Sequence, residues 1–523
     1  MRGILWTTVA GMLMAAAGAY AGGCSAEADD CERSLKCAHY LAGTAASTSS
    51  SSSSSSSGGT GGSPISCIPS ESQDHVADSC GVFVSSSLGV DDMAADRGTQ
   101  AKPFKSIGAA LMKAEITRVY ACAETFTEAV TISAGVDLYG GLDCKSWAYV
   151  GATTKTTLTA AEDKIPLTLG NTAGSANVED FAISAAPAKA PGGSSIAVLA
   201  NGATASLTRC ELTSGDADAG TPGVDGGGQA AQAQAGTVGD NAGLVGTSSA
   251  GGIGGTNAVC ALTAGDGGKG GAIMSGDGAD GFQGDGNMGG AKGTGQTSMA
   301  ACSNGANGEL GVVAPFGAGA KGTGTLSVKG YQGADGDAGQ DGGNGKSGGG
   351  GGGSKASNTV HGAGGGGGGA GGCGGKHGTG GQAGGSSTAL ASVGAKVTLA
   401  ECQLSTGKGG QGGKGGDGQF GQFGGKIGDG GAGSGSVVDA CIGGKGGSGA
   451  PGGNGGGGLG GHALGIAVTG SAPLLDTATQ KAITPGAKGT GGPGGNMSAD
   501  VNQGADGMTV ACWDFSKGKA CSP

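Results

Sequence analysis

Residues 192–215 have the sequence GGSSIAVLANGATASLTRCELTSG, and residues 384–407 have the sequence GGSSTALASVGAKVTLAECQLSTG. The two stretches align without a gap, and the alignment places Cys210 opposite Cys402. In the first stretch the alternation of apolar residues shifts by one position just before the cysteine, which is typical of a corner between two strands. Two copies of one coil predict neighbouring coils of a repeat fold, and residues 216–383 then form an excursion that leaves the array and returns to it.

Glycine dominates the composition, with 128 of 523 residues, whereas proline contributes only 13. Aromatic residues make up 3% and charged residues 13% of the chain, which excludes one large close-packed core and a highly charged disordered chain. Collagen is excluded because glycine stays below one residue in three and proline is scarce. The net charge of -11 excludes a nucleic-acid partner, because a surface that tracks phosphates needs clustered lysine and arginine.

Short apolar segments, separated by Gly, Asn or Thr turns, precede the first copy between positions 119 and 183. A short helix over residues 106–114 is predicted in front of them. The combination resembles the start of right-handed parallel β-helix domains of the pectin-lyase-like group, and it is carried by Gly98-Thr99, Pro103-Phe104 and Ser106-Ile107. The resemblance implies a mostly β repeat fold in which small inward residues stack from coil to coil, over residues 81–215 and again in the returning coil 384–407.

The excursion 216–383 and a second glycine-rich region, residues 408–505, contain glycine at a period of three, as at positions 330, 333, 336 and onward to 351. This period predicts extended threefold helices of the polyglycine-II type rather than α-helix or pleated strand. Because proline is rare, the amide groups stay free to bond to neighbouring segments. Disorder remains the alternative, since ordering glycine is entropically costly and few side chains here offset that cost.

The N-terminus predicts export. Residues 1–23 read as a signal peptide, with a positive Arg2, an apolar run and small residues before Cys24. The pattern resembles a bacterial lipobox, which implies lipid attachment at Cys24, whereas ordinary cleavage after Ala21 would free a soluble secreted protein. Residues 24–80, with an uninterrupted serine run at 49–57, predict a flexible tether.

The chain has 15 cysteines, and removing Cys24 leaves an even number, which suits disulfides outside the cell. Zinc is disfavoured because no Cys-x-x-Cys pair occurs. We predict that Cys210 and Cys402 lie close together, and a disulfide between them is one pairing that this permits. The last segment, residues 506–523, is expected to be a tail that contains cysteines.

The mature chain resembles the PGRS-type glycine-rich lipoproteins known in myxobacteria, which implies an outer-surface lipoprotein of undefined activity. The motifs that carry this resemblance are Cys67-Ile-Pro-Ser-Glu71, Cys80-Gly-Val-Phe-Val-Ser-Ser-Ser-Leu-Gly89, Leu138-Tyr-Gly-Gly-Leu-Asp-Cys144, Trp147-Ala-Tyr-Val150, Ile165-Pro-Leu-Thr-Leu169 and Leu464-Gly-Ile-Ala467.

No catalytic, cofactor or metal site is assigned from the sequence. Enzymes of the resembled fold use clustered carboxylates, a basic group and sugar-stacking aromatics, and we expect the available side chains to be solvated coil-surface or turn residues. The candidates are Glu124, Glu128, Asp137, Asp143, Glu179, Arg118, Arg209, Tyr139, Trp147 and Tyr149. Acidic clusters at 216–220 and 335–341 lack a complete calcium loop and are expected to be solvated turn carboxylates. Cys373 and His377 form a weak metal pair that a disulfide and a solvated imidazole explain equally well.

Two functions remain open. The first is an exported, lipid-anchored, non-enzymatic surface protein with a structural or adhesive role, whose partners would be polysaccharide, matrix or other surface proteins. The second is a carbohydrate-active β-helix protein, either a polysaccharide lyase or hydrolase, or a lectin.

Overall fold

The computed structural model describes residues 66–72, 75–113, 115–132, 135–170, 174–228, 230–244, 248–497 and 501–521. The predicted signal peptide, the lipidation site Cys24 and the serine run lie outside the described residues. Among the described residues, neither α-helix is long and apolar enough to cross a membrane.

The described chain is mostly β-sheet with two short α-helices. The strands are β1 Val82–Val84, β2 Arg118–Cys122, β3 Thr125–Thr127, β4 Val130–Ile132, β5 Asp137–Leu142, β6 Thr156–Thr159, β7 Leu167–Leu169, β8 Ser175–Glu179, β9 Phe181–Ser184, β10 Ser195–Asn201, β11 Thr204–Thr208, β12 Glu211–Ser214, β13 Thr256–Asn257, β14 Leu262–Thr263, β15 Thr325–Ser327, β16 Gly330–Gln332, β17 Ser387–Val393, β18 Lys396–Ala400, β19 Gln403–Thr406, β20 Ala463–Thr469, β21 Leu474–Leu475, β22 Ile483–Thr484, β23 Thr509–Asp514 and β24 Lys519–Ala520. The α-helices are α1 Ile107–Leu111 and α2 Thr477–Lys481, and short 3-10 helices occupy Pro69–Glu71, Asp78–Cys80 and Gly495–Met497.

Three sheets of parallel strands organise the fold. The first has the order β1-β2-β5-β8-β11-β18-β21, the second β24-β23-β20-β17-β10-β7-β4, and the third β22-β19-β12-β9-β6-β3. Only the terminal pair β23–β24 of these sheets is antiparallel. Consecutive strands such as β10, β11 and β12 contribute one strand to each sheet in turn, which fits a parallel β-helix.

The two sequence copies lie side by side. Strand β10 pairs with β17, β11 with β18 and β12 with β19, all in parallel register. Leu207 is the partner of Leu399, and Leu212 is the partner of Leu404. The excursion of residues 216–383 therefore leaves the array after β12 in the third sheet and returns to it at β17 in the second sheet.

A narrow apolar core runs between the sheets, and its members include Leu158, Val178, Leu207, Leu399 and Ile466. Helix α1 covers one end of this core with Ile107 and Ala110, which are fully buried. The Ser106 hydroxyl accepts a hydrogen bond from the amide of Ala109 and caps the helix. The helix is shorter than the predicted 106–114 but lies where the sequence predicts it.

Three boundaries differ from those predicted. Residues 66–72 and 75–80, assigned to the tether, are packed: the Cys67–Cys80 disulfide holds them, and the Tyr120 hydroxyl donates to the Cys67 carbonyl over 2.7 Å. Residues 463–484, assigned to the second glycine-rich region, contribute β20, β21, α2 and β22 to a further coil. The C-terminal tail adds β23 to the second sheet, closed by the Cys512–Cys521 disulfide.

The glycine-rich stretches run as extended segments that bond to one another through their backbones. In residues 362–385, the interior segment, every third amide from Gly366 to Gly384 donates to a carbonyl of residues 441–459, with N···O distances of 2.9 to 3.0 Å. A second set of amides reaches carbonyls of residues 218–240, except at Cys373 and Lys376, whose amides bond to the side chains of Gln422 and Gln419. A third set reaches residues 265–271 from positions 362–368 and then bonds to side chains such as those of Asn344 and Asp341. The carbonyl groups of the interior segment accept from residues 336–354, 410–431 and 252–255. The interior segment is therefore flanked on all sides, as a threefold repeat requires.

Side chains would not fit between these segments. A Cβ atom added at Gly369 would lie 2.2 Å from the Gly425 carbonyl oxygen, and one at Gly366 would lie 2.0 Å from the Gly428 oxygen. Backbone atoms cannot move aside as the end of a side chain can, so glycine is required at these contacts. The Cys260–Cys373 and Cys302–Cys441 disulfides, with sequence separations of 113 and 139 residues, tie distant segments together.

A hairpin of β15 and β16 covers the outer side of the second sheet. His462 is buried beneath it: its Nε2 atom lies 2.8 Å from the Thr323 carbonyl oxygen, and its Nδ1 atom accepts from the Met508 amide over 3.0 Å. The imidazole is therefore neutral, with the proton on Nε2. Burial lowers the pKa of His462, although the bond to Thr323 opposes that shift.

We expect Gly369→Ala to destabilise the folded chain by about 1 to 3 kcal/mol or more, because its methyl group would overlap the carbonyl of Gly425. Gly228→Ala is the matched control, since nothing lies within 4 Å of a Cβ added there. Urea unfolding of both variants measures the difference. Equal stability of the two variants would contradict the close packing of the interior segment.

We also expect a pH dependence from His462. Because burial holds the pKa of His462 in the folded chain below its usual value of 6.5, the unfolded chain binds the proton more tightly. This contribution to stability is fully present above about pH 6.5 and is lost as the pH falls towards the folded pKa. The difference in stability between pH 7.5 and pH 5.5, measured by unfolding, should be smaller in His462→Gln than in the wild-type chain. His75→Gln, a substitution at an exposed position, is the control.

Candidate functional site

A group of charged side chains that share contacts lies at the corner between the first and third sheets, just after β8 and β11. Asp180 and Arg209 occupy this corner on neighbouring coils, and Glu401 occupies it on the next. All three have left-handed backbones, with φ of 59°, 53° and 54°. Non-glycine residues rarely adopt this conformation, and the stacked strands impose it at the same point of each coil.

Arg209 joins two carboxylates. Its NH2 nitrogen lies 2.7 Å from Glu179 Oε2 and 2.9 Å from Asp180 Oδ2, and its Nε donates to Asp180 Oδ1 over 3.0 Å. The Tyr149 hydroxyl donates to Asp180 over 3.1 Å, and Lys155 Nζ lies 3.8 Å from the same carboxylate. We call Glu179, Asp180, Arg209, Tyr149 and Lys155 the corner cluster.

The electrostatics of the corner cluster follow from its burial. The Asp180 side chain is only 2% exposed, so its charge depends on Arg209 for compensation. Hydrogen bonding to Asp180 raises the pKa of Arg209 far above its usual value. Burial raises the pKa of Glu179, and the neighbouring Arg209 opposes this shift. The cluster is thus a mutually neutralised ionic network that joins two coils.

Sequence reasoning named three members of the corner cluster, Glu179, Arg209 and Tyr149, but could not place them together. Asp180 and Lys155 were missed. Asp180 directly follows β8, and Arg209 directly follows β11. That the two residues occupy the same corner on neighbouring coils can be recognised only from the pairing of β8 with β11.

The other candidate carboxylates have structural partners elsewhere. Glu124 binds the hydroxyls of Ser85 and Ser87 over 2.9 and 2.8 Å; burial raises its pKa, but the serine hydrogen bonds outweigh burial and lower it. Glu128 accepts from the amides of Ile107 and Gly108 at the start of α1. Asp137 accepts a hydrogen bond from the side-chain amide of Asn177, and Asp143 accepts one from the backbone amide of Ser146.

Two of the three candidate aromatic platforms, Tyr139 and Trp147, are too buried to stack on a sugar, and Tyr149 is half-buried and bonded to Asp180. Tyr139 is 3% and Trp147 2% exposed. Tyr139 stacks on Tyr120 at 5.5 Å between ring centroids, and Trp147 meets Phe83 edge-on at 4.9 Å. These rings pack against Cys67, Ile68, Val76, Ala77 and Cys80, which lie in the segment ahead of β1.

Possible metal ligands also have other roles. Cys373 is bonded to Cys260, and His377 Nδ1 lies 2.7 Å from Asp341 Oδ1. Hydrogen bonding from Lys376 and then His377 lowers the pKa of Asp341 strongly. In the part of the chain that the structure describes, one group has metal-like spacing, Cys122, Glu124 and Cys144, but its two sulfurs form a disulfide.

The structure brings Cys210 and Cys402 together but does not bond them. The Cys210 amide donates to Cys402 Sγ over 3.3 Å, and both are free, buried thiols. The disulfide considered from the sequence is therefore not formed. Burial raises the pKa of the Cys210 thiol, which keeps it protonated and suited to a core position between coils.

Comparisons of the chain with models of protein families, with curated proteins and with solved structures gave no match.

We expect Arg209→Met to lower the free energy of unfolding by about 3 kcal/mol, because it leaves the buried Asp180 carboxylate without its guanidinium. Lys102→Met is the control: its partner Asp96 is exposed, so stability should change little. Denaturant unfolding at pH 7 compares the two. Equal effects would contradict a structural role for the corner cluster.

Proposed function

We propose that the chain is an exported, lipid-anchored surface protein with a structural or adhesive role. The observation that carries this proposal is the set of five disulfides in the described residues: Cys67–Cys80, Cys122–Cys144, Cys260–Cys373, Cys302–Cys441 and Cys512–Cys521. Disulfides that hold a fold together form in oxidising compartments outside the cytosol. The disulfides support export of the protein. The predicted signal peptide would direct this export, and lipid attached at Cys24 would hold the exported protein at a membrane.

For the architecture, we propose a right-handed parallel β-helix that is extended sideways by glycine segments of the polyglycine-II type. The order of strands in the three sheets supports the first part. The threefold hydrogen bonding of residues 362–385 supports the second. The glycine-rich segments together offer a broad polar surface, and their backbone hydrogen bonds are made to one another.

A role in contact rather than catalysis is supported by the state of the ionisable groups. The carboxylates that could act as acid or base are held by structural partners, namely Arg209 for Glu179 and backbone amides for Glu128. General acid and base catalysis needs such groups within reach of a substrate proton.

We expect Cys24→Ala to release the protein from the membrane fraction into the medium, because the acyl chains would then have no attachment site. Immunoblots of membrane and medium fractions measure the distribution, and Cys210→Ala, a buried position, serves as the control that keeps its anchor. Unchanged membrane association of Cys24→Ala would contradict the lipid anchor. Cleavage of a polysaccharide by the released chain would contradict the non-enzymatic role.

A further inference from the structure

Cys210 and Cys402 occupy the same corner of two neighbouring coils. The strands on both sides fix their relative position, because β11 pairs in register with β18 just before the corner and β12 pairs in register with β19 just after it. Neighbouring parallel strands lie about 4.8 Å apart, and the Cα atoms of bonded cysteines are usually about 4.4 to 6.8 Å apart. The register therefore places the two cysteines at a separation that a disulfide can span.

The oxidation state of this pair sets it apart. Cys210 and Cys402 are the free thiols among the described residues, where every other cysteine belongs to one of five disulfides. Both side chains lie in the apolar core between the sheets, with exposed fractions of 0% and 1%. The two thiols are thus shielded from larger reagents while they stay beside one another.

A hydrogen-bond acceptor is used at this corner, but it does not have to be sulfur. The Cys210 amide donates to Cys402 Sγ over 3.3 Å. The Cys402 amide in turn donates to Thr479 Oγ1 over 2.9 Å. A threonine hydroxyl therefore fills the same role one coil further on, and the need to cap a buried amide does not explain sulfur at both corners.

The two sulfurs differ in their acidity. The hydrogen bond from the Cys210 side chain lowers the pKa of the Cys402 thiol, although burial opposes that shift. Burial raises the pKa of the Cys210 thiol. Because the thiolate is the reactive form of cysteine, Cys402 is the nucleophile of the pair, and Cys210 is the neighbouring thiol that can resolve an oxidised sulfur.

We propose that Cys210 and Cys402 are a redox-sensitive pair that an oxidant of the peroxide class converts into a disulfide between the two coils. The Cys402 sulfur attacks a peroxide oxygen, the O–O bond breaks, and a sulfenic acid and one water form. The Cys210 sulfur then attacks the Cys402 sulfur, the S–O bond breaks, and a second water leaves. Hydrogen peroxide takes up the two electrons, and both thiol protons end in water.

The disulfide would close the base of the excursion. It would join the coil at 192–215, which precedes residues 216–383, to the coil at 384–407, which follows them. A disulfide between positions far apart in the sequence restricts the unfolded chain, so oxidation would stabilise the contact between the two coils. Hydrogen peroxide is small enough to reach the buried pair when the coils open locally.

The test uses the full chain with Cys24→Ala, divided and treated with hydrogen peroxide or with buffer alone. Non-reduced peptides of both samples are mapped by mass spectrometry, and urea unfolding measures their stability. The control is Cys402→Thr, which keeps an acceptor for the Cys210 amide but has no sulfur. Peroxide also oxidises methionine, and the control carries the same methionines, so it separates that effect from disulfide formation.

We expect peptides linked through Cys210 and Cys402 after peroxide treatment, together with an equilibrium constant for unfolding that falls at least tenfold in the parent chain but not in Cys402→Thr. A linked pair already present in buffer supports the proposal equally. Absence of the linked pair after treatment, Cys402 recovered as sulfinic acid, or an equal stability change in parent and control would overturn it. Should Cys402→Thr fail to fold, the peptide map of the parent chain decides alone.

The inference draws on the proposed export only for the source of the oxidant, because compartments outside the cytosol are oxidising. The peptide map is made on the purified chain and does not depend on where the protein lies in the cell. Failure of the disulfide to form would leave the surface role standing, and release of the protein into the medium would leave the redox pair standing.

Discussion

The hydrogen bond from a glycine amide to the carbonyl of the next segment, repeated every third residue, is the constraint on which the rest of the molecule depends. In residues 362–385 these bonds point in three directions, and each requires two backbones to approach without an intervening side chain. Little apolar burial is available there to offset the entropy of ordering glycine. Satisfied backbone bonds, close dispersion contacts and two long-range disulfides supply the stabilisation instead.

The same bonds connect the glycine segments to the sheets. The interior segment passes directly into β17, and residues 440–462 pass directly into β20. The bond from the Ser387 amide to the His462 carbonyl continues the series that begins at Gly366 and Cys441. The register between β17 and β20 and the register between the interior segment and residues 441–459 are therefore coupled, so that a shift in one pairing would also shift the other.

Much of this arrangement could be read from the sequence. The ungapped alignment of residues 192–215 with 384–407 predicted neighbouring coils, and the glycine period predicted segments able to bond in three directions. The coil at 463–484 was not predicted, because β21 and β22 have two residues each and α2 replaces part of the coil, which leaves no alternation to detect. The corner cluster was not predicted because Asp180 and Arg209 are 29 residues apart, and their proximity depends on how many residues each coil contains. The state of Cys210 and Cys402 was not predicted, because an even cysteine count carries no information on which pairs form.

Because the backbone bonds point in three directions, the number of glycine columns in a segment indicates how deeply that segment is buried among its neighbours. Residues 305–317 bond through their amides to residues 442–454 and through their carbonyls to residues 340–349. They keep glycine or alanine in one column of three and place polar or apolar side chains in the others. Residues 408–418 keep glycine in two columns of three, and residues 362–372 contain only glycine and alanine. Substitution tolerance in such a protein should therefore follow the column a residue occupies rather than its hydrophobicity, and an insertion that is not a multiple of three would turn a buried column outward along the rest of its segment.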